Sequence, residues 1–226
     1  MEQTAEQQVV WMEEGAELTL EGEPVLCYRL RWPRIEGGGR GAARLNRGYA
    51  AMARTWRNRW RREVYWQACL SLAACRGSAR PFTPWRGEVG GEVTLWEDGL
   101  LALRMTGTEE RGDGRICRVC WGDVWRVREG APVSLKEAAA LGRGWRTALC
   151  RRIISQGEAR QRAGEWAPDP DWYRRVRRLL PVWDYCLYHD RLELPFPQCT
   201  IAPAAEGTPV FRLPGREEGS GEEGTA

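Results

Sequence analysis

The sequence predicts an α+β fold: a largely antiparallel sheet packed against one long amphipathic helix and shorter helices. Two observations carry this expectation. From about Arg40 to Cys75 apolar residues recur at steps of three and four, the period of one helix face. Elsewhere the chain alternates with period two in stretches that cluster together, which argues against regularly alternating βαβ units. The size is compatible with one domain. At 226 residues, 42% apolar and with 13 tryptophans, the chain can bury a large aromatic core, and disorder throughout is excluded.

The elements follow in order. Residues 1–16 are rich in Gln and Glu and read as a flexible lead, residues 17–214 as a single domain, and residues 215–226 (GREEGSGEEGTA) as a disordered acidic tail with nothing to bury. In VLCYRLRW, Leu26, Tyr28, Leu30 and Trp32 share one strand face and Cys27, Arg29 and Arg31 the other. PRIEGGGRG breaks that pattern, and the long helix then buries Leu45, Tyr49, Met52, Trp56, Trp60, Val64, Ala68 and Leu72. Pro81 and Pro84 close the helical region. EVGGEVTLW and LLALRMTG form a hairpin around Asp98-Gly99, and GRICRVCWGDVWRV gives one or two more strands. Ser134 caps a short helical turn through KEAA. Trp145 to about Arg162 is a second helix and Asp171 to Leu180 a third. LYHDRLELPF and the opening of the domain supply further strands, and Val210 to Leu213 the last one.

Composition narrows the function classes. A net charge of +3 against 34 basic and 31 acidic residues gives little global field for a polyanion. There is no basic start followed by an apolar run of signal-peptide length, and no stretch approaches the roughly 20 apolar residues of a membrane helix. The chain as it stands is therefore expected in the cytoplasm, and outside it only if an N-terminal segment is missing. The eight cysteines are expected as reduced thiols, because a domain of this size holds together without staples.

Chemistry-bearing motifs are sparse. Cys117 and Cys120 form a CxxC pair, but there is no second pair and the segment is strand-like, so neither a zinc site nor a redox motif is expected. His189 is the only histidine, which excludes any site needing two. No catalytic residue, metal or cofactor is assigned. The outer face of the long helix carries Arg44, Arg47, Arg54, Arg57, Arg59, Arg61 and Arg62, a stripe that would suit phosphates and makes nucleic-acid binding the alternative function. The tryptophans do not interleave with these arginines as stacking platforms would. Trp121, Trp125, Trp166, Trp172 and Trp183 are candidates for an exposed aromatic surface. The residues singled out for binding are Trp121, Trp125 and Glu206.

The end of the chain carries a resemblance. In LELPFPQCTIAPAAEGTPVFRLP, Pro203 holds Ala202 extended, Gly207 can adopt positive φ, and the path runs strand, bent loop, strand. With RWPRIEGGGRGAARLNRGYAAMA, this resembles domain of unknown function 3298, the C-terminal extracytoplasmic part of RsiV-type anti-sigma factors, which also accompanies some bacterial polysaccharide deacetylases. Trp32-Pro33 stands at the family's strand-end step, Ile35-Glu36-Gly37 at the next segment and Asn46 at its helix Asn. Pro197 to Gly207 matches the terminal motif, with Cys199 and Ala204 where the family usually has Tyr. Trp125 to Leu135 resembles the strand, turn and leucine after the family's central motif. GTEERGDGR (Gly107 to Arg115) replaces the family's Gly-Gly-Ala-His-Gly segment. The resemblance implies an α+β domain that binds a partner protein, lysozyme in the RsiV-like members, with any deacetylase activity in a separate domain. The expected function is non-enzymatic binding or sensing of a lysozyme-like or cell-wall-related protein.

Overall fold

A computed structural model describes residues 8–214. The tail expected to be disordered and the first seven residues of the expected lead lie outside that range. A six-stranded sheet comprises β1 (Gln8–Leu20), β2 (Glu23–Glu36), β3 (Trp85–Glu97), β4 (Leu100–Glu110), β5 (Ile116–Arg126) and β6 (Ala131–Pro132), in that spatial order. All its pairings are antiparallel except β2 with β3. Between β2 and β3 the chain makes one long helical excursion: α1 (Gly39–Arg59), a π-helical turn (Trp60–Val64) and α2 (Tyr65–Gly77). A short α3 (Leu135–Ala138), α4 (Trp145–Arg162) and α5 (Trp172–Leu179) lead to a second, three-stranded sheet of β7 (Cys186–Leu187), β8 (Arg191–Pro195) and β9 (Val210–Pro214). The α+β class is as expected. Strands at LYHDRLELPF and Val210 to Leu213 were expected, but not that they form a sheet of their own, because which strands pair is set by long-range contacts that no local period reports.

β1 corrects the lead. Residues 8–16, expected to be flexible, are strand and pair with β2 along its length, from Gln8 opposite Glu36 to Leu20 opposite Glu23. The glutamates that made this stretch look unstructured are counter-charges. Glu13 pairs with Arg29 at 2.6 Å, and Glu14 with Arg57 on α1.

The helix buries the face its period specified, but not as an unbroken α-helix. From Trp56 to Leu72 the apolar positions come at strict steps of four. At 3.6 residues per turn each such step would drift by about 40° around the helix. The wider π turn at Trp60–Val64 absorbs that drift, so Trp60, Val64, Ala68 and Leu72 all stay buried on the sheet. The turn is fixed by Glu109 of β4. Its carboxylate accepts from Arg59 Nε at 2.6 Å, Arg59 Nη2 at 2.9 Å and the Trp60 indole at 3.0 Å. Farther back, Asn46 holds the end of β2 by accepting from the Ile35 N–H at 2.8 Å and donating to its carbonyl at 2.9 Å. A half-buried, two-way amide contact of this kind explains an Asn at that helix position.

Local signals held elsewhere. Asp98 and Gly99 take φ of 49° and 74°, the positive pair that a two-residue hairpin requires. Ser134 accepts from the Glu137 N–H at the start of α3, and α4 spans the expected residues. GRICRVCWGDVWRV forms one strand, β5. Its inward and outward residues serve different layers: Trp121 and Trp125 pack toward α1, and Val124 toward the core shared with the second sheet. Gly122 allows the two sheets to approach, since a Cβ there would sit 2.0 Å from the Tyr185 carbonyl oxygen. Behind it, Trp166, Trp172, Phe196 and Phe211 stack edge to face. Ile201 and Ala202 of the terminal motif are buried in the same core. Among the described residues no helix is long and apolar enough to cross a membrane.

Two stability changes test this architecture by urea unfolding. Glu109→Ala is expected to cost about 2–4 kcal/mol, because it strands the Arg59 guanidinium and the Trp60 N–H, and Glu109→Gln to cost distinctly less. Gly122→Ala is expected to cost about 3 kcal/mol or more, because the group in its way is backbone and cannot rotate aside.

Candidate functional site

The site follows from coverage. Six strands about 4.8 Å apart make a surface more than twice as wide as a helix about 10 Å across. The α1–α2 helix lies over β2 to β4, and at the β5–β6 end a cleft of about 500 Å³ opens beside α1. α1 contributes Arg44, Leu45, Gly48, Tyr49 and Met52, the sheet Trp121, Asp123, Trp125 and Pro132. Strand alternation puts Trp121, Asp123 and Trp125 on the same face of β5, two residues apart.

A hydrogen-bonded chain runs through the cleft. The Trp125 indole donates to the Tyr49 hydroxyl at 2.9 Å, and the hydroxyl donates to Asp123 Oδ2 at 3.2 Å. Burial, with the Asp184 charge adding to it, pushes the Asp123 carboxyl up to about 6, and hydrogen bonds from Tyr49 and Trp121 offset this only in part. Burial likewise holds the Tyr49 hydroxyl well above its ordinary value, with the Asp123 charge adding to the effect. Asp184 is itself raised by burial. Among the described residues Asp123 has no arginine, lysine or histidine within ion-pair distance. The two fully buried acids do. Glu109 has Arg59, and Glu193 has Arg191 at 3.2 Å and Arg212 at 3.1 Å.

Of the residues singled out from the sequence, Trp121 and Trp125 meet in this cleft. Glu206 does not join them: it lines a separate groove with Gln156, Arg160, Thr208 and Arg212, between α4 and β9. Trp166 and Trp172 are core, whereas Trp183 is exposed. Tyr49 and Asp123 went unassigned, the first absorbed into the helix core period, the second overlooked. The signal for Asp123 was present in WGDVW, where alternation aligns it with the tryptophans. His189 lies 3.3 Å from Glu97 on an exposed turn, and all eight cysteines are free thiols. Cys117 and Cys120 lie three apart on β5, with Cys120 turned toward Cys186 of β7. Among the described residues no cluster of His, Cys, Asp and Glu has the makings of a metal site.

The arginine stripe also changes character. Arg57 pairs with Glu14, Arg59 with Glu109 and Glu63, and Arg61 donates to the Tyr28 hydroxyl at 2.8 Å. Expected on the outer face, these three reach sideways to strands, which leaves a broken set of phosphate contacts; nothing in the structure favours nucleic acid.

No family model and no curated protein matches the chain. Solved structures do. A DUF3298-family protein of Bacteroides fragilis is 14% identical, with a TM-score of 0.56 over 92% of this chain and 90% of that one. A DUF3298-family protein of Pseudomonas aeruginosa is 13% identical, with a TM-score of 0.52 over the same shares, 92% and 90%. At these identities the likeness shows the fold, and the chain has the fold of domain of unknown function 3298.

Asp123 makes a stability prediction with a definite sign. The folded state holds its proton up to about pH 6, the unfolded chain only to about 3.9. The ionised group therefore costs stability at pH 8, and the cost fades as the pH falls through 6 toward 4. Asp123→Asn, which keeps an acceptor for Tyr49, is expected to stabilise the fold by up to about 3 kcal/mol at pH 8 and by almost nothing at pH 4, as read by urea unfolding at both values.

Proposed function

We propose that this chain is a non-enzymatic binding domain that docks a partner protein at the cleft between α1 and β5. The observation that carries the reading is the composition of the cleft: aromatic walls around a single carboxylate, with no serine, cysteine, histidine or lysine among the lining side chains. Such a set grips and orients. A nucleophile paired with a base would be needed for covalent chemistry, and the proton of Tyr49 is already committed to Asp123. Indole and phenol side chains at the centre of a concave surface are the residue types that dominate interface energetics.

The resemblance to RsiV-type domains makes a lysozyme-like or cell-wall-associated protein the first partner to try. Calorimetric titration of the chain with lysozyme is expected to give saturable binding that Trp125→Ala weakens about tenfold or more and Glu206→Ala leaves unchanged. Absence of binding at high micromolar concentration removes lysozyme as the partner, and binding indifferent to Trp125→Ala removes the cleft as the docking site.

A further inference from the structure

We infer that the cleft accepts the ammonium group of a lysine side chain presented by the partner, with Asp123 as counter-ion and Trp121, Trp125 and Tyr49 as walls. The inference rests on the reading of the cleft as the docking site. Its starting point is the missing cation. A carboxylate removed from water is ordinarily paired, because the uncompensated charge is costly. This chain obeys that rule at Glu109 and Glu193, and departs from it at Asp123, a half-buried acid that lines an open cleft. The electrostatic surroundings do not supply the charge from elsewhere. Asp184 adds a second negative group acting on Asp123. Arg44, exposed on α1, is the only cation among the lining residues, and it makes no ion pair there.

The walls specify the rest of the ligand. Aromatic rings attract a cation and also cover the methylene stem behind it, so a charged head on an apolar chain satisfies both parts of the cleft. Lysine fits this carboxylate better than arginine. Tyr49 donates to Oδ2 and Trp121 also acts on the carboxylate as a donor, which crowds the two-oxygen edge that a guanidinium fork needs, while an ammonium binds as a point charge to what remains.

The test uses the full chain and n-butylammonium as the probe, with indole N–H resonances followed by NMR and affinity by calorimetry. Butylammonium is expected to shift the Trp125 signal at pH 7.5 and to bind about tenfold more tightly than butan-1-ol. Asp123→Asn, checked for folding by urea unfolding, is expected to remove that preference. Lowering the pH to 5 is expected to weaken binding about tenfold as Asp123 protonates. The titratable and charged groups acting at this position are Asp123, Tyr49 and Arg44 in the cleft and Asp184 behind it, and Tyr49, held well above its ordinary value, keeps its proton throughout that range. Equal binding of butylammonium and butan-1-ol, retention of the preference in Asp123→Asn, or tighter binding of n-butylguanidinium each overturns the inference. If a partner docks in a Trp125-dependent way while butylammonium fails, the docking reading stands and the lysine assignment falls. If butylammonium binds but Trp125→Ala leaves the partner's affinity unchanged, the ammonium site stands without the docking role.

Discussion

One helix cannot cover six strands, and the arrangement of this protein follows from where that helix is fixed. Two polar contacts, one buried and one half-buried, set its position. Glu109 ties the π turn to β4 through Arg59 and Trp60, and Asn46 ties the first turns of α1 to the end of β2 through both polar groups of Ile35. Each contact satisfies groups that would be costly to leave bare, so the helix is held in register as well as by apolar area. With the helix over β2 to β4, the β5–β6 end of that face stays open. The opposite face is closed by the second sheet, which approaches as near as the missing side chain of Gly122 permits.

The treatment of buried and half-buried acids separates scaffold from site. Glu109 and Glu193 are enclosed by arginines, and their charges are neutralised within the chain. Asp123 receives hydrogen bonds from Tyr49 and Trp121 and no counter-ion, and burial raises its carboxyl to about 6. The first arrangement stabilises the fold. The second sacrifices stability at neutral pH for an unsatisfied charge facing a cleft, the trade common at binding sites. The proposed docking role and the proposed lysine contact both come from that difference.

Much of the framework was legible because it is local. Helix periodicity picked out the buried face from Leu45 to Leu72, alternation placed Leu26, Tyr28 and Leu30 inward, Asp98-Gly99 marked the hairpin, and Ser134 the start of α3. The strict steps of four between Trp56 and Leu72 also contained the π turn, although it went unread. The terminal motif pointed to the fold that the solved structures share, and its Ile201 and Ala202 turn out to be core anchors rather than ligand groups.

What the sequence determined by itself was therefore the set of elements and their inner faces, since a side chain's direction depends on its neighbours two to four positions away. The tertiary structure alone decided the rest. Glu13 and Glu14 looked like part of a flexible lead until strand pairing gave them Arg29 and Arg57. Arg57, Arg59 and Arg61 looked like a free basic stripe until Glu14, Glu109 and Tyr28 claimed them. Asp123 became notable only when no cation arrived beside it. Whether a charge is paired depends on residues dozens of positions apart being brought within a few ångströms, and no local period encodes that distance.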